Sequence, residues 1–272
     1  MKQKDFVFNI CFLIFLNLLI KPFWILGIDV GVQNQVGAES YGLYFAIFNF
    51  SYMFSILLDM GTTNFNNRNI AQNNQLLDKH LSSIIILRFL LAVVYMIVVF
   101  AVALIIGYRG GMLRLLFWIS INHFLNAFLL YLRSNISALL MFKTDSVLSV
   151  LDRLIMIILC SVLLWGNVTS VPMRIEWFVY SQTIAYCVSV LVTLSIVLYK
   201  SRLSGLHWNR PFFLMVLKRS LPFATLALLI VCYNRIDSVM LERILPSGVG
   251  TTQAGIYAMA FRLLDALVMI AY

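Results

Sequence analysis

Apolar runs of about twenty residues follow one another along this chain, and they limit it to one kind of solvent. They fall at roughly 6–32, 42–62, 82–108, 115–135, 146–165, 177–199 and 220–245, and an eighth begins near Gly255. A helix rising ~1.5 Å per residue needs about 20 residues to cross ~30 Å of hydrocarbon. Inside lipid no water satisfies the backbone, so each run must close its own hydrogen bonds, which a helix does. Composition agrees, with 62% of residues hydrophobic and 11% charged, where soluble domains carry about 25% charged residues. The predicted fold is an all-α polytopic membrane protein.

Lys2 and Lys4 ahead of an apolar stretch imitate a secretory leader. That stretch runs on to about Val32, longer than a leader's apolar core, and no small-residue cleavage site closes it. It reads as a first membrane helix that stays. Basic residues are retained on the cytoplasmic side. With the N-terminus inside, Lys2, Lys4, Arg68, Lys79, Arg133, Lys143, Lys200, Arg202, Arg210, Lys218 and Arg219 lie at cytoplasmic ends and loops, while Arg109, Arg114, Arg174 and Arg243 lie opposite. This bias extends over several loops and predicts a cytoplasmic N-terminus. The stretch Lys200–Arg219, with Trp208 and Pro211, reads either as an interfacial segment on anionic headgroups or as retention charge beside a helix end. Membrane lipid is an expected partner and nucleic acid is not.

Cys11, Cys160, Cys187 and Cys232 each sit inside an apolar run, without metal-ligand spacing, and read as small buried hydrophobes. His80, His123 and His207 are scattered. Neither a metal nor a cofactor is expected, and no phosphate-cradling glycine loop, HExxH or nucleophile motif points to an enzyme.

Part of the sequence begins again near its end. Gly37, Gly42, Leu43, Tyr44 and Phe48 recur, 213 positions on, as Gly250, Gly255, Ile256, Tyr257 and Phe261. Six predicted crossings separate the copies, so both point the same way through the membrane. That is the layout of transporters made of two parallel bundles, which bind cargo between them near the midplane. The expected organisation is an N-terminal six-helix lobe over residues 1–205. Residues 206–272 form a linker and the start of a second lobe: a seventh helix and an incomplete eighth. An apolar end without a polar flank at Tyr272 reads as a fragment or a truncated product.

Charges at bilayer depth cost at least ~2.5 kcal/mol each on insertion scales, so they are expected to face a partner or a wet cavity. Lys21 sits about 15 residues into the first helix, too deep to snorkel easily, and Pro22 after it predicts a kink. Arg235 takes the same place in the seventh helix. Asp29 and Glu242, again 213 apart, lie toward the outer ends. Lys21 and Arg235 are candidates to face an anionic substrate, and Asp29 to act at the outer mouth in gating or ion coupling; internal pairing with carboxylates is the structural alternative. Arg88 and Arg153 fit substrate contact, snorkelling or pairing equally, with Asp59 or Asp78 available to Arg88 and Asp152 to Arg153. Asn122 and Asn126 share one helix face at i, i+4 spacing, suited to sugar hydroxyls or to interhelical hydrogen bonds. Arg262 and Asp265 are spaced for a local pair.

The segments Tyr41-Gly-Leu-Tyr, Leu58-Asp-Met-Gly-Thr-Thr with Arg68-Asn-Ile-Ala, Asn234-Arg-Ile-Asp-Ser-Val-Met-Leu and Gln253-Ala-Gly-Ile-Tyr together resemble the bacterial oligosaccharide flippases. These belong to the polysaccharide transporter family, within the superfamily of multidrug and toxin exporters and the lipid II flippase. The resemblance spans essentially the whole chain. It implies two six-helix lobes forming a V, sited in the bacterial cytoplasmic membrane. It implies transfer of a polyprenyl-pyrophosphate-linked oligosaccharide from the cytoplasmic to the outer leaflet, and functional coupling to glycan polymerase machinery. It assigns Asp59, Gly61 and Arg68 to a cytoplasmic loop motif and Asp237 to the seventh helix, in packing or gating. Two rivals stand beside it. A cation or drug exporter of the same superfamily would favour an acidic cleft, whereas the mid-depth excess here is basic. A membrane glycan polymerase or ligase would carry a sizeable outer loop, and the outer loops here are short.

Overall fold

Pro22 has no amide hydrogen to donate and its ring crowds the preceding turn, so the helix entering it cannot continue unchanged. In the computed structural model the chain responds by widening into a π-helical stretch, Phe23–Asp29, capped by Pro22. The structure is described for residues 15, 17–20, 22–73, 76–166, 173–201, 210–246 and 248–271. The helices that follow are α1 (Val30–Met53), α2 (Ile56–Asp59), α3 (Thr62–Gln72), α4 (Leu76–Ile106), α5 (Gly111–Ala138), α6 (Phe142–Trp165), α7 (Ile175–Lys200), α8 (Arg210–Ile244) and α9 (Val249–Ala271). No strand occurs among the described residues.

Four helices, Leu81–Ile106, Gly111–Ala138, Phe142–Trp165 and Ile175–Lys200, are long and apolar enough to cross a membrane. They coincide with the third to sixth predicted crossings. Asn17–Met53 and Ile56–Gln72, bent by 43° against each other, pass the same test of length and hydropathy as a pair. Helices α8 and α9 run over the stretches assigned to the seventh and eighth crossings. Large apolar side chains point outward along these helices, Ile97 at 64% and Ile105 at 84% exposed among them. Water would penalise such a surface; lipid does not.

The predicted loop at residues 33–41 is not there. Helical backbone runs through it, interrupted at one residue, Gly37, with φ 84° and ψ 158°. Only a residue without Cβ adopts that conformation at little cost. A single glycine therefore does what the sequence assigned to nine residues.

Contacts gather the chain into two compact units, residues 1–50 with 146–185 and 235–272, and residues 51–145 with 186–234. The expected lobe boundary at 205–206 lies outside the described residues. In the first unit Ile28, Val32, Ala46, Ile47 and Val179 are fully buried, and Phe178 stacks on Trp24 at 5.8 Å and meets Tyr44 edge-on at 5.4 Å. In the second, Tyr95, Val99, Leu116, Tyr131 and Leu132 fill the core. The Tyr95 and Ser51 hydroxyls bond at 2.6 Å, and Ser51 reaches Ser120 at 3.1 Å.

The two copies of the repeat meet within the first unit. A methyl group on Gly42 would fall 1.8 Å from the Thr251 carbonyl oxygen and 2.6 Å from the Gly255 nitrogen. One on Gly255 would fall 2.1 Å from the Ala38 carbonyl oxygen. The 213-residue shift carries Ala38 onto Thr251 and Gly42 onto Gly255, so both approaches are one contact repeated. The repeat seen in the sequence is thus a quasi-two-fold crossing of α1 and α9, backbone against backbone.

Candidate functional site

Two networks of buried charge stand out, one in each unit. The first grows from the segment Leu58–Thr63. Helix α2 ends when Met60 takes a left-handed conformation, φ 43°. The turn brings the Asp59 carboxylate back over the start of α3, where it accepts from the Gly61 nitrogen (3.2 Å), the Thr63 nitrogen (3.1 Å) and the Thr63 hydroxyl. A helix start offers unpaired N–H groups and a positive dipole end, so an aspartate is favoured there. Arg88, from α4, is 1% exposed and completes the cluster. It forms an ion pair with Asp59, donates to Thr63 Oγ1, and reaches the carbonyls of Leu58 (3.2 Å) and Ala127 (3.3 Å). Its guanidinium lies 5.0 Å from the Tyr131 ring centre. Of the two carboxylates the sequence offered to Arg88, Asp59 is the partner in the structure.

The second network joins the first crossing to α9. Tyr41 donates its hydroxyl to both oxygens of Asp29, at 2.9 and 3.0 Å. Arg262 brings Nε to 2.8 Å from Asp29 Oδ2, and its guanidinium covers the Tyr41 ring at 4.3 Å. The local Arg262–Asp265 pair expected from spacing involves a side chain outside the described residues. Arg262 is 5% exposed, and its Nη1 and Nη2 have no hydrogen-bond acceptor among the described residues. Arg153 lies within electrostatic reach of Asp29. It also sits 3.6 Å from Asp152 and 5.6 Å from the Trp24 ring. Asn17 donates to Ser149 at 3.3 Å, which adds a second polar tie between the first crossing and α6.

The remaining candidates fall as follows. Lys21 lies outside the described residues. Arg235 is half-buried on α8 with its guanidinium 4.6 Å from the Phe261 ring, and Asp237 accepts from Tyr257 at 3.2 Å. Asn122 is buried and Asn126 half-buried on α5. Arg68 is exposed on α3. The structure thus brings together Asp59 with Arg88 and places Arg153 near Asp29, while Arg235 and Asp237 belong to a separate cluster on α8 and α9. Sequence reasoning missed Tyr41 and Arg262 as partners of Asp29. The one hint for Tyr41 was its place in the Tyr41-Gly-Leu-Tyr segment. Among the described residues, no His, Cys, Asp and Glu cluster could hold a metal ion.

Fold and networks define a multi-pass helical membrane protein that buries ion pairs among its apolar helices. The chain belongs to the polysaccharide biosynthesis protein family, whose family model matches residues 6–272. No curated protein and no solved structure matches it.

Proposed function

We propose that the chain is a transporter that flips a polyprenyl-pyrophosphate-linked oligosaccharide across the bacterial cytoplasmic membrane, by alternating access between a bundle over residues 1–205 and a second begun by 206–272. The observation that carries this reading is Arg262. A guanidinium holds five N–H donors in a fixed fork. Asp29 meets one side of it, and both terminal nitrogens are buried with no acceptor among the described residues. Buried charged donors without acceptors are costly and uncommon in native proteins. Two oxygens of a phosphate fit such a fork better than any sugar hydroxyl. Arg262 thus joins Lys21, Arg235 and Arg153 as headgroup contacts, with Asn122 and Asn126 toward the sugars. Arg88 is already engaged by protein acceptors and serves the bundle, with Asp59; Arg68 and Asp237 take part in gating. The prenyl tail stays in lipid, where burial of hydrocarbon favours it. No covalent step is needed. Membrane lipid surrounds the protein, and glycan polymerase machinery takes up its product.

Deleting the gene is expected to leave lipid-linked glycan on the inner leaflet, and wild-type protein to clear it. Arg262→Gln, inserted and folded as wild type, is expected to flip at least tenfold more slowly, the loss of one charge-assisted contact. Normal export of the glycan in the deletion strain would refute the proposal.

A further inference from the structure

Asp29, Tyr41 and Arg262 form a buried trio whose members are matched unequally. Tyr41 is 2% exposed, and its hydroxyl stands 2.9 and 3.0 Å from the two Asp29 oxygens. A carboxylate pairs bidentately with a guanidinium only by presenting both oxygens side by side to two nitrogens. The near-equidistant hydroxyl occupies that place. The closest approach of Asp29 to Arg262 is accordingly single, Oδ2 to Nε at 2.8 Å. The Tyr41 ring lies against the guanidinium, its centre 4.3 Å from the central carbon, and cation–π attraction holds that plane in position. Nη1 and Nη2 have no acceptor among the described residues. An unconstrained carboxylate beside two such donors would turn onto them, because a second charge-assisted hydrogen bond adds to the first. The trio is also not a packing device of the repeat. The 213-residue shift relates Tyr41 to Ala254, Arg262 to Asn49, and Asp29 to Glu242, and Glu242 pairs with its neighbour Arg243 at 3.0 Å.

We propose that Tyr41 is a positioning residue of the headgroup site: its hydroxyl withholds Asp29 from the terminal nitrogens of Arg262 and so keeps that fork for an anionic ligand. The identity of the ligand rests on the flippase reading; the arrangement of the trio does not. A hydroxyl that serves only to satisfy Asp29 would show the same distances and is distinguished by coupling.

The test uses the full chain in lipid nanodiscs, with inorganic pyrophosphate as the probe. Tyr41→Phe keeps the ring and loses the hydroxyl, so Asp29 closes on the fork. Pyrophosphate is then expected to bind about tenfold more weakly, the loss of one charge-assisted contact. With Asp29→Asn already in place no carboxylate can close, and Tyr41→Phe is expected to change binding by less than about twofold. An equal loss in both backgrounds, or no loss beside Asp29, overturns the proposal. For flipping of a fluorescent lipid-linked glycan, Tyr41→Phe is expected to raise KM with kcat unchanged. A fall in kcat alone marks a structural role and overturns it too.

A second arm needs no ligand. The coupling between Asp29→Asn and Arg262→Gln is read from melting temperatures as a double-variant cycle. It is expected to grow by roughly 2–4 °C when Tyr41→Phe is added, because the released pair becomes bidentate. Coupling that stays or shrinks overturns the proposal. Should Tyr41→Phe fail to insert, 4-fluorophenylalanine at position 41, which fills the hydroxyl's space and donates no hydrogen, is read in the same way. A wild-type protein that binds no pyrophosphate while the coupling grows leaves Tyr41 its role and removes the flippase reading.

Discussion

Arg88 and Arg262 are buried alike, at 1% and 5% exposed, yet they are held differently. Arg88 reaches two carbonyls, a hydroxyl and a carboxylate, so its charge is matched by the protein itself. Its partner is not equally enclosed: the Asp59 side chain is 29% exposed and sits on a helix start. The two halves of this pair should therefore be unequal to lose. Asp59→Asn strands a fully buried cation, expected to cost roughly 3–5 kcal/mol, while Arg88→Met leaves a carboxylate that water and the α3 amides still solvate, for roughly 1–3 kcal/mol. The double variant should lose less than the sum, since the residues share one network. Thermal melting in detergent decides it, and an Arg88→Met protein melting below Asp59→Asn would show that Asp59 is not solvated as described. The sequence offered Asp59 to Arg88 because both stand near the same predicted membrane face. It offered Asp265 to Arg262 by helix spacing, since no local pattern links Arg262 to Asp29 at the other end of the chain.

At the scale of elements, two glycines of the repeat act for opposite reasons. Gly42 has helical backbone and no room; Gly37 has room, with nothing within 4 Å of an added methyl, and a backbone other residues avoid. Gly37→Ala is expected to destabilise by about 1–3 kcal/mol through strain alone. Gly111→Ala, also in open space but at the ordinary start of α5, is expected to be neutral or slightly stabilising through helix propensity. Equal melting temperatures for the two variants would mean that α1 absorbs the break elsewhere. The same contrast explains what was legible. Long apolar runs gave α4 to α7 close to their true limits, because length and hydropathy are all a crossing requires. Residues 33–41 read as a loop because Gln33, Asn34, Gln35, Glu39 and Ser40 are polar. Nothing local reveals that Gln33 turns inward to Gly255 or that one φ value suffices to redirect the helix. Pro22 announced a disturbance, and whether it becomes a kink or a π turn depends on the packing around it.

For the whole molecule, the repeat was the most informative long-range signal, because equal spacing of glycines and aromatics reports a shared shape rather than a local preference. Its meaning in the membrane depends on direction. Basic residues flank alternate links: Arg68 and Lys79 stand either side of the α3–α4 link, Arg133 and Lys143 either side of α5–α6, and Lys200, Arg202, Arg210, Lys218 and Arg219 lie in and around α7–α8, against Arg109 and Arg114 at α4–α5 and Arg174 at α6–α7. Moving a charged loop against that bias is what the insertion machinery resists. A reporter active only outside the cell, fused after Gly110 between α4 and α5, is therefore expected to be active, and the same fusion after Leu140 between α5 and α6 to be silent. A reporter that fluoresces only inside should give the reverse. If Gly110 reports inside and Leu140 outside, the chain runs through the membrane in the opposite sense and the expected cytoplasmic N-terminus is refuted. If both fusions report the same side, α5 does not cross, and the parallel relation of the two copies is lost with it.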